Sequence, residues 1–305
     1  MFYSKQLIQF LMNLITYRFI ASILYLLSLL PFPVLYFLSD ILYGILYYVF
    51  KYRRKVVLNN LLNSFPEKSR SEIELIEKRF YRYLADLMLE SIKTLTISAK
   101  EIKKRFVFKN LEILKKHLQD GKSVIAVTGH YGNWEWGPVA TGLEINEKVL
   151  VVYKPLSNKR FEGLMNSMRS RFGSIMVPMK LTLRKVIEYK NEPVVLVLVG
   201  DQTPTREESQ FFTTFLNQET AVFLGVEKIA LKLNNPIVYF SINRIKRGYY
   251  ECLVKSLIDN PEHTKDHEIT EAHIKELEKN IQLHPEFWLW SHKRWKFSSS
   301  NLKNV

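Results

Sequence analysis

Val124-Ile-Ala-Val-Thr-Gly-His130-Tyr-Gly-Asn-Trp-Glu135-Trp-Gly137 is the stretch from which the fold can be read. Val124 to Val127 is a short apolar run that predicts a buried strand. Gly129 and Gly132 bracket His130, so the chain turns sharply there. Asn133 is placed to cap a helix starting at Trp134, with Glu135 in its first turn. A histidine on the loop leaving a buried strand lies where open α/β sheets carry their chemistry.

The spacing has a geometric consequence. On one continuous helix His130 and Glu135 would diverge by roughly 140°. They meet only if the backbone breaks between them, which Gly132 permits. A carboxylate on one ring nitrogen would fix the tautomer and leave the other nitrogen as a base. The same residues also fit a histidine that merely ends a strand and a glutamate that merely opens a helix.

Working outward, the pattern alternates. Helices are expected over Leu111–Leu118, Arg160–Phe172, Leu181–Lys190 and Phe223–Leu233. Strands are expected over Val149–Tyr153, Ile175–Val177, Val194–Val199, Pro236–Asn243 and Tyr249–Val254. This predicts an α/β fold: a central mixed sheet flanked by helices. Upstream, Ser69 or Ser71 would cap a helix running through Ile73, Ile76, Phe80, Leu84, Leu87 and Met88.

Between Phe19 and Phe50 the only charge is Asp40, and Pro31-Phe-Pro33 interrupts the apolar run. A bilayer span needs about 20 apolar residues, so each half is short. A kinked span and a re-entrant or interfacial hairpin both fit, as does a pair of core helices. No signal-peptidase site is evident. Lys51, Arg53, Arg54 and Lys55 outweigh Lys5 and Arg18, which puts the following domain on the cytoplasmic side. The expected division is a membrane-anchoring helical segment over 1–50 and a catalytic domain over 51–305.

Lys and Arg total 44 against 30 acidic residues, a net charge of +14 over 305 residues. Such a balance favours anionic partners. With no zinc finger, RNA-binding aromatic signature or basic zipper, nucleic acid is not an expected partner. Cys252 is the one cysteine, so intrachain disulfides and thiol clusters are excluded. His263, His267 and His273 lie near Asp266, Glu268 and Glu271, but no His-Glu-x-x-His is present and no metal is expected.

Further stretches carry a resemblance. His130-Tyr-Gly-Asn-Trp-Glu135 has the His-x4-Asp/Glu form of the glycerolipid and lysophospholipid acyltransferases. Lys55 to Glu67, Tyr153-Lys-Pro-Leu-Ser-Asn158, Met165 to Gly173, Gly200-Asp-Gln202 and His284 to Trp295 resemble, in order, segments of the bacterial lipid A biosynthesis acyltransferases. The likeness runs from the apolar segment to Phe297. Phe215-Leu-Asn217 departs from the Phe-Phe-Gly turn common in that family.

The resemblance implies transfer of an acyl chain from acyl-acyl carrier protein to a hydroxyl of a lipid A precursor, at the cytoplasmic face of a bacterial inner membrane. His130 would be the base and Glu135 its orienting partner. Asn133, Lys154, Arg169, Asp201 and Gln202 would contact substrate or shape the site, and Arg171 would add positive charge beside it. No cofactor is needed, because a thioester is already activated. The chain has no G-x-S-x-G elbow, so a covalent acyl-enzyme is not required. A related acyltransferase acting on lysophosphatidate, another glycolipid or an aminolipid would share His130 and Glu135. A membrane-surface binding protein on the same scaffold is the non-enzyme reading.

Overall fold

The computed structural model describes residues 2–297, with side chains from residue 16 onward. The chain opens with α1 (Phe2–Leu29) and α2 (Phe32–Gly44), the latter continued by one π-helical turn at Ile45–Val49. Next come α3 (Arg54–Ser64), α4 (Arg70–Lys93), α5 (Ala99–Arg105), β1 (Phe106–Lys109) and α6 (Leu111–Gln119). The central run is β2 (Val124–Thr128), α7 (Trp136–Glu144), β3 (Lys148–Tyr153), α8 (Lys159–Arg169), β4 (Ile175–Pro178), α9 (Thr182–Glu188) and β5 (Val194–Val199). It is followed by β6 (Phe211–Phe215), β7 (Gln218–Val222), α10 (Gly225–Leu233), β8 (Ile237–Lys246), β9 (Tyr249–Ile258) and α11 (Glu268–Leu283).

Seven strands form one sheet in the order β1-β9-β8-β2-β5-β3-β4. All neighbours pair in parallel except the β8–β9 hairpin, so the sheet is mixed. The sheet divides the core by strand alternation. Ile125, Val127, Leu196 and Leu198 face α4, α10 and α11 with Trp288 and Trp290. Val124, Ala126, Val195 and Val197 face the α5–α7 side with Phe106 and Trp136. Every residue of β2 is buried, as a strand covered on both faces requires. Each such Val or Ile contributes roughly 1.5–3 kcal/mol.

Several expectations shift in detail. The helix after Asn133 begins at Trp136, two residues later than read, because Trp134 and Glu135 form a turn. Ser69, not Ser71, caps α4, in a reciprocal capping box with Glu72. Met88 turns outward, and Leu87 and Leu89 take the buried places. Strand β1 and the separate β6–β7 hairpin had no counterpart in the periodic reading. Both are short, and β6 is only partly buried, so neither leaves a clean alternating signal.

The N-terminal segment is two helices broken at Leu30–Pro31. Helix α2 is fastened to α4 by polar pairs. Ser39 donates to Asp86 at 2.6 Å and Tyr36 to Glu90 at 2.9 Å, while Tyr47 donates to Glu77 at 3.2 Å. Leu35 is buried in the same seam. The opposite faces of α1 and α2 are bare. Among the described residues, more than half of the exposed large hydrophobic side chains lie between Phe19 and Tyr52. The stretch Phe32–Val49 is long and apolar enough to cross a membrane, and its other face is committed to α4.

A truncation separates the two helices. A chain starting at Ser28 is expected to fold, since it retains every α2–α4 contact. A chain starting at Lys51 would take one hydrogen-bond donor each from Asp86, Glu90 and Glu77 and uncover the Leu35 seam. It is expected to lose several kcal/mol of stability, given about 0.5–1.5 kcal/mol for each hydrogen bond lost and about 1.5–3 kcal/mol for uncovering Leu35. Urea denaturation of both proteins in detergent measures this. Equal midpoints would refute it.

Candidate active site

Strands β2 and β5 are parallel neighbours, with Thr128 opposite Val199. Their C-terminal ends therefore lie side by side, and the residues just beyond them meet. His130 follows β2 and Asp201 follows β5. The His130 ring Nδ1 lies 2.6 Å from Asp201 Oδ1, and the His130 backbone N–H donates to Oδ2 at 2.9 Å. Trp288 Nε1 also donates to Oδ2, at 2.8 Å. Asp201 thus grips both the ring and the backbone of one residue.

This corrects the expected pairing. The carboxylate on His130 is Asp201, 71 residues away in sequence, and not Glu135. Glu135 turns instead to Arg169, which donates to its two oxygens at 2.8 and 2.7 Å in a two-pronged pair. The break at Gly132 exists, but it serves another purpose. Gly132 has φ +61°, and a Cβ there would lie 2.1 Å from the Ile242 carbonyl oxygen. Its N–H donates to Phe287 O at 3.0 Å, and Tyr83 donates to its carbonyl. The loop is pressed against β8 and pinned from both sides.

Burial acts first to lower the His130 pKa, but the Asp201 charge and hydrogen bond outweigh it. The net shift is upward from the ordinary histidine value, with a smaller contribution from Glu135. Burial opposes ionisation of Asp201, yet His130, Trp288 and the His130 backbone N–H together hold it well below the usual carboxylate range. With Asp201 ionised at Nδ1, the proton resides on Nδ1 and the lone pair on Nε2. Nε2 faces the amide of Gln202 at 3.1 Å. Trp134 lies edge-on to the ring, with centroids 5.2 Å apart.

The other expected residues fall into two groups. Lys154, at the end of β3, is exposed, and Gln202 touches the histidine. Asn133 is fully buried, its amide donating to Glu90 at 2.7 Å and its oxygen accepting from Trp136 N–H at 3.0 Å. The N-cap position of α7 belongs to Glu135 and not to Asn133; the Asn133 oxygen still meets the first N–H of the helix, and its polar atoms point inward to the loop's support. Arg171 donates to the carbonyls of Thr94 and Ile97 and ties α8 to the end of α4, so its charge is spent structurally. Trp136, Trp288 and Trp290 belong to the core.

The C-terminal stretch supplies a layer that sequence reading did not resolve. Besides Trp288, His292 Nε2 accepts from Thr203 N–H at 3.2 Å, fixing the turn that carries Asp201 and Gln202. Burial lowers the His292 pKa to about 4, so it is a neutral acceptor. Arg294 donates to Thr220 and to Ala221 O at 2.6 and 2.7 Å. The density of Trp, His and Arg between His284 and Trp295 is the signal that something is assembled there. Glu90 completes the support: it accepts from Tyr250 at 2.6 Å as well as from Tyr36 and Asn133, and burial raises its carboxyl pKa to about 7.

The His263–His273 stretch divides by environment. His273 is buried and His267 stacks on Phe211, while His263 is exposed beside Glu262. Among the described residues no three His, Cys, Asp or Glu side chains converge as a metal site would require.

An imidazole held by a buried carboxylate at the C-terminal ends of two parallel central strands has the chemistry to take a proton from a hydroxyl. Comparisons with known proteins bear on the family. The chain is 24% identical over 279 residues to a lipid A biosynthesis palmitoleoyltransferase of Escherichia coli (strain K12), covering 90% of this chain and 89% of that protein. It is likewise 24% identical over 278 residues to the lipid A biosynthesis lauroyltransferase of the same organism, again covering 90% and 89%. A lipid A biosynthesis acyltransferase of Haemophilus influenzae is 24% identical over 248 residues, 79% of this chain and 74% of its own. The model of the bacterial lipid A biosynthesis acyltransferase family matches residues 4–297, nearly the whole chain, and this chain belongs to that family of acyltransferases.

Proposed function

We propose that the protein transfers an acyl chain from an acyl thioester, carried on acyl carrier protein, to a free hydroxyl of a lipid A precursor. The observation that carries this reading is the His130–Asp201 pair at the C-terminal edge of β2 and β5. Asp201 holds the ring with Nδ1 protonated. Nε2 takes the proton from the acceptor hydroxyl as its oxygen attacks the thioester carbon; the C–S bond then breaks, and the departing sulfur takes that proton back from Nε2 to leave as a thiol. The hydroxyl displaces the Gln202 amide from Nε2, and Gln202 is then free to bond the acceptor oxygen. Asp201 acts through His130 and is a positioning residue.

Glu135 influences His130 through its charge and holds Arg169 in place. One guanidinium nitrogen of Arg169 has no bond to Glu135 and is the candidate to meet the thioester oxygen or an acceptor phosphate. A double-mutant cycle tests the pair. Glu135→Ala and Arg169→Ala are each expected to lower kcat/KM by about tenfold or more. The double variant should be little worse than either single one, with a coupling of about 1–3 kcal/mol. Strictly additive losses would separate their roles. Lys154 stands at the exposed end of β3, where it would meet an anionic acceptor or the acidic carrier protein.

The bare apolar faces of α1 and α2 support attachment to the bacterial inner membrane, with the sheet domain on the cytoplasmic side. Because α2 keeps its polar face on α4, we read it as lying in the interface plane and not as spanning. It therefore belongs with the catalytic domain, and the anchor proper ends near Pro31.

Purified protein given acyl-acyl carrier protein with a lipid A precursor and lysophosphatidate in parallel decides the acceptor. Product from the lipid A precursor, detected by mass spectrometry, is expected. Product from lysophosphatidate alone would overturn the acceptor and leave the chemistry standing.

A further inference from the structure

A cleft of about 540 Å³ opens between α2, α4, the tip of the β8–β9 hairpin and the turn at Pro285–Phe287. It lies behind the catalytic loop: its wall includes Tyr83 and Phe287, the two residues that hold the Gly132 peptide groups. None of its residues is needed for the proton transfer at His130.

The cleft is built on arginine. Arg244 pairs with Asp86 at 2.7 Å, and Arg247 pairs with Asp86 and Asp40 at 2.6 and 2.7 Å. Those two guanidinium groups are fixed, with their carboxylates neutralised. Arg79 and Arg82, one turn apart on exposed positions of α4, make no ion pair among the described residues; Arg82 meets Tyr43, lying 5.1 Å from its ring centroid and hydrogen-bonding its side chain. Glu286 on the opposite wall also lacks an ion-pair partner. Four arginines against Asp40, Asp86 and Glu286 leave the cleft one positive charge in excess. Two guanidinium groups without a carboxylate partner, facing an open cleft, are a ready site for a phosphate, which each can bond through more than one N–H. Helix α2, which lines the cleft with Asp40 and Tyr43, also bears the exposed Phe37 and Ile41, and the π-helical turn after it bears Tyr48. The cleft therefore opens beside an apolar surface suited to acyl chains.

We propose that this cleft binds the phosphate of a singly charged phosphodiester headgroup through Arg79 and Arg82, with the lipid's chains lying along α2. The single excess charge matches one anionic phosphodiester, and Glu286 disfavours a doubly charged group. The site does not rest on the acyl-transfer reading, and its test requires no turnover.

The experiment uses the full-length protein in detergent micelles, titrated with short-chain phosphatidylglycerol, phosphatidylcholine or inorganic phosphate, with thermal unfolding as the readout. Saturable stabilisation by phosphatidylglycerol, exceeding that by phosphatidylcholine, is expected. In Arg79→Ala/Arg82→Ala it should need at least tenfold more lipid, while Glu286→Gln should need less. Arg184→Ala/Lys190→Ala, which removes two charges from the exposed surface of α9 and its following turn, should behave as wild type. Inorganic phosphate giving the same variant-sensitive stabilisation would support the site with a soluble phosphate as its source. No stabilisation of the wild type by either ligand, or equal stabilisation of the wild type and the Arg79→Ala/Arg82→Ala protein, overturns the proposal.

Discussion

His130→Ala is expected to reduce acyl transfer by at least the hundredfold to ten-thousandfold typical of a lost general base, to the limit of detection in an acyl-acyl carrier protein assay. The side chain that meets Nε2 is the Gln202 amide, which is not a base. The neighbouring histidine, His292, is committed as an acceptor to Thr203. The substitution also has a cost in stability, because Asp201 is buried and His130 is its charge partner. Asp201 would retain Trp288 Nε1 and the His130 backbone N–H, which caps the loss at about 1–3 kcal/mol. The protein should remain folded, so circular dichroism and activity can be read on the same sample. Turnover within tenfold of wild type would eliminate His130 as the base.

Asp201→Asn should lower kcat by about a hundredfold or more while moving the acidic limb of the pH profile to lower pH. The two effects have one cause. His130 acts only when neutral, so activity is lost as pH falls through its pKa. In the wild type the Asp201 charge holds that pKa above the ordinary value, against burial. Asparagine removes the charge and leaves the burial, so the pKa falls and the limb shifts to the acid side. An asparagine amide that turns its nitrogen toward Nδ1 would also select the wrong tautomer, which is why the maximal rate drops. Glu135→Gln changes a group bonded to Arg169, so it should move the limb much less. A larger acidic shift in Glu135→Gln than in Asp201→Asn would mean that Glu135 holds the ring during turnover.

The parts of this protein set by local chemistry were legible in the sequence. The run Val194–Val199 is apolar throughout because β5 is covered on both faces, and its bounds match the expectation. Ser69 and Glu72 specify the start of α4 by themselves, since a capping box needs no distant partner. The turn at Gly129–Gly132 and the histidine on the loop after a buried strand were readable for the same reason.

What required the tertiary structure is which strand end lies beside which. Strands β3 and β4 intervene in sequence between β2 and β5, yet the sheet places β5 directly against β2. Only that order brings Asp201 to His130. A motif six residues long suggested Glu135 as the partner, because spacing within one loop is visible and strand order is not. The support of the site followed the same rule: Glu90 on α4, Tyr250 on β9 and Trp288 near the C-terminus converge on the loop from distant points in the chain. The sequence alone determined where strands end and which residues stand at those ends. Parallel pairing across crossover helices, a property of the whole sheet, decided which of those residues meet.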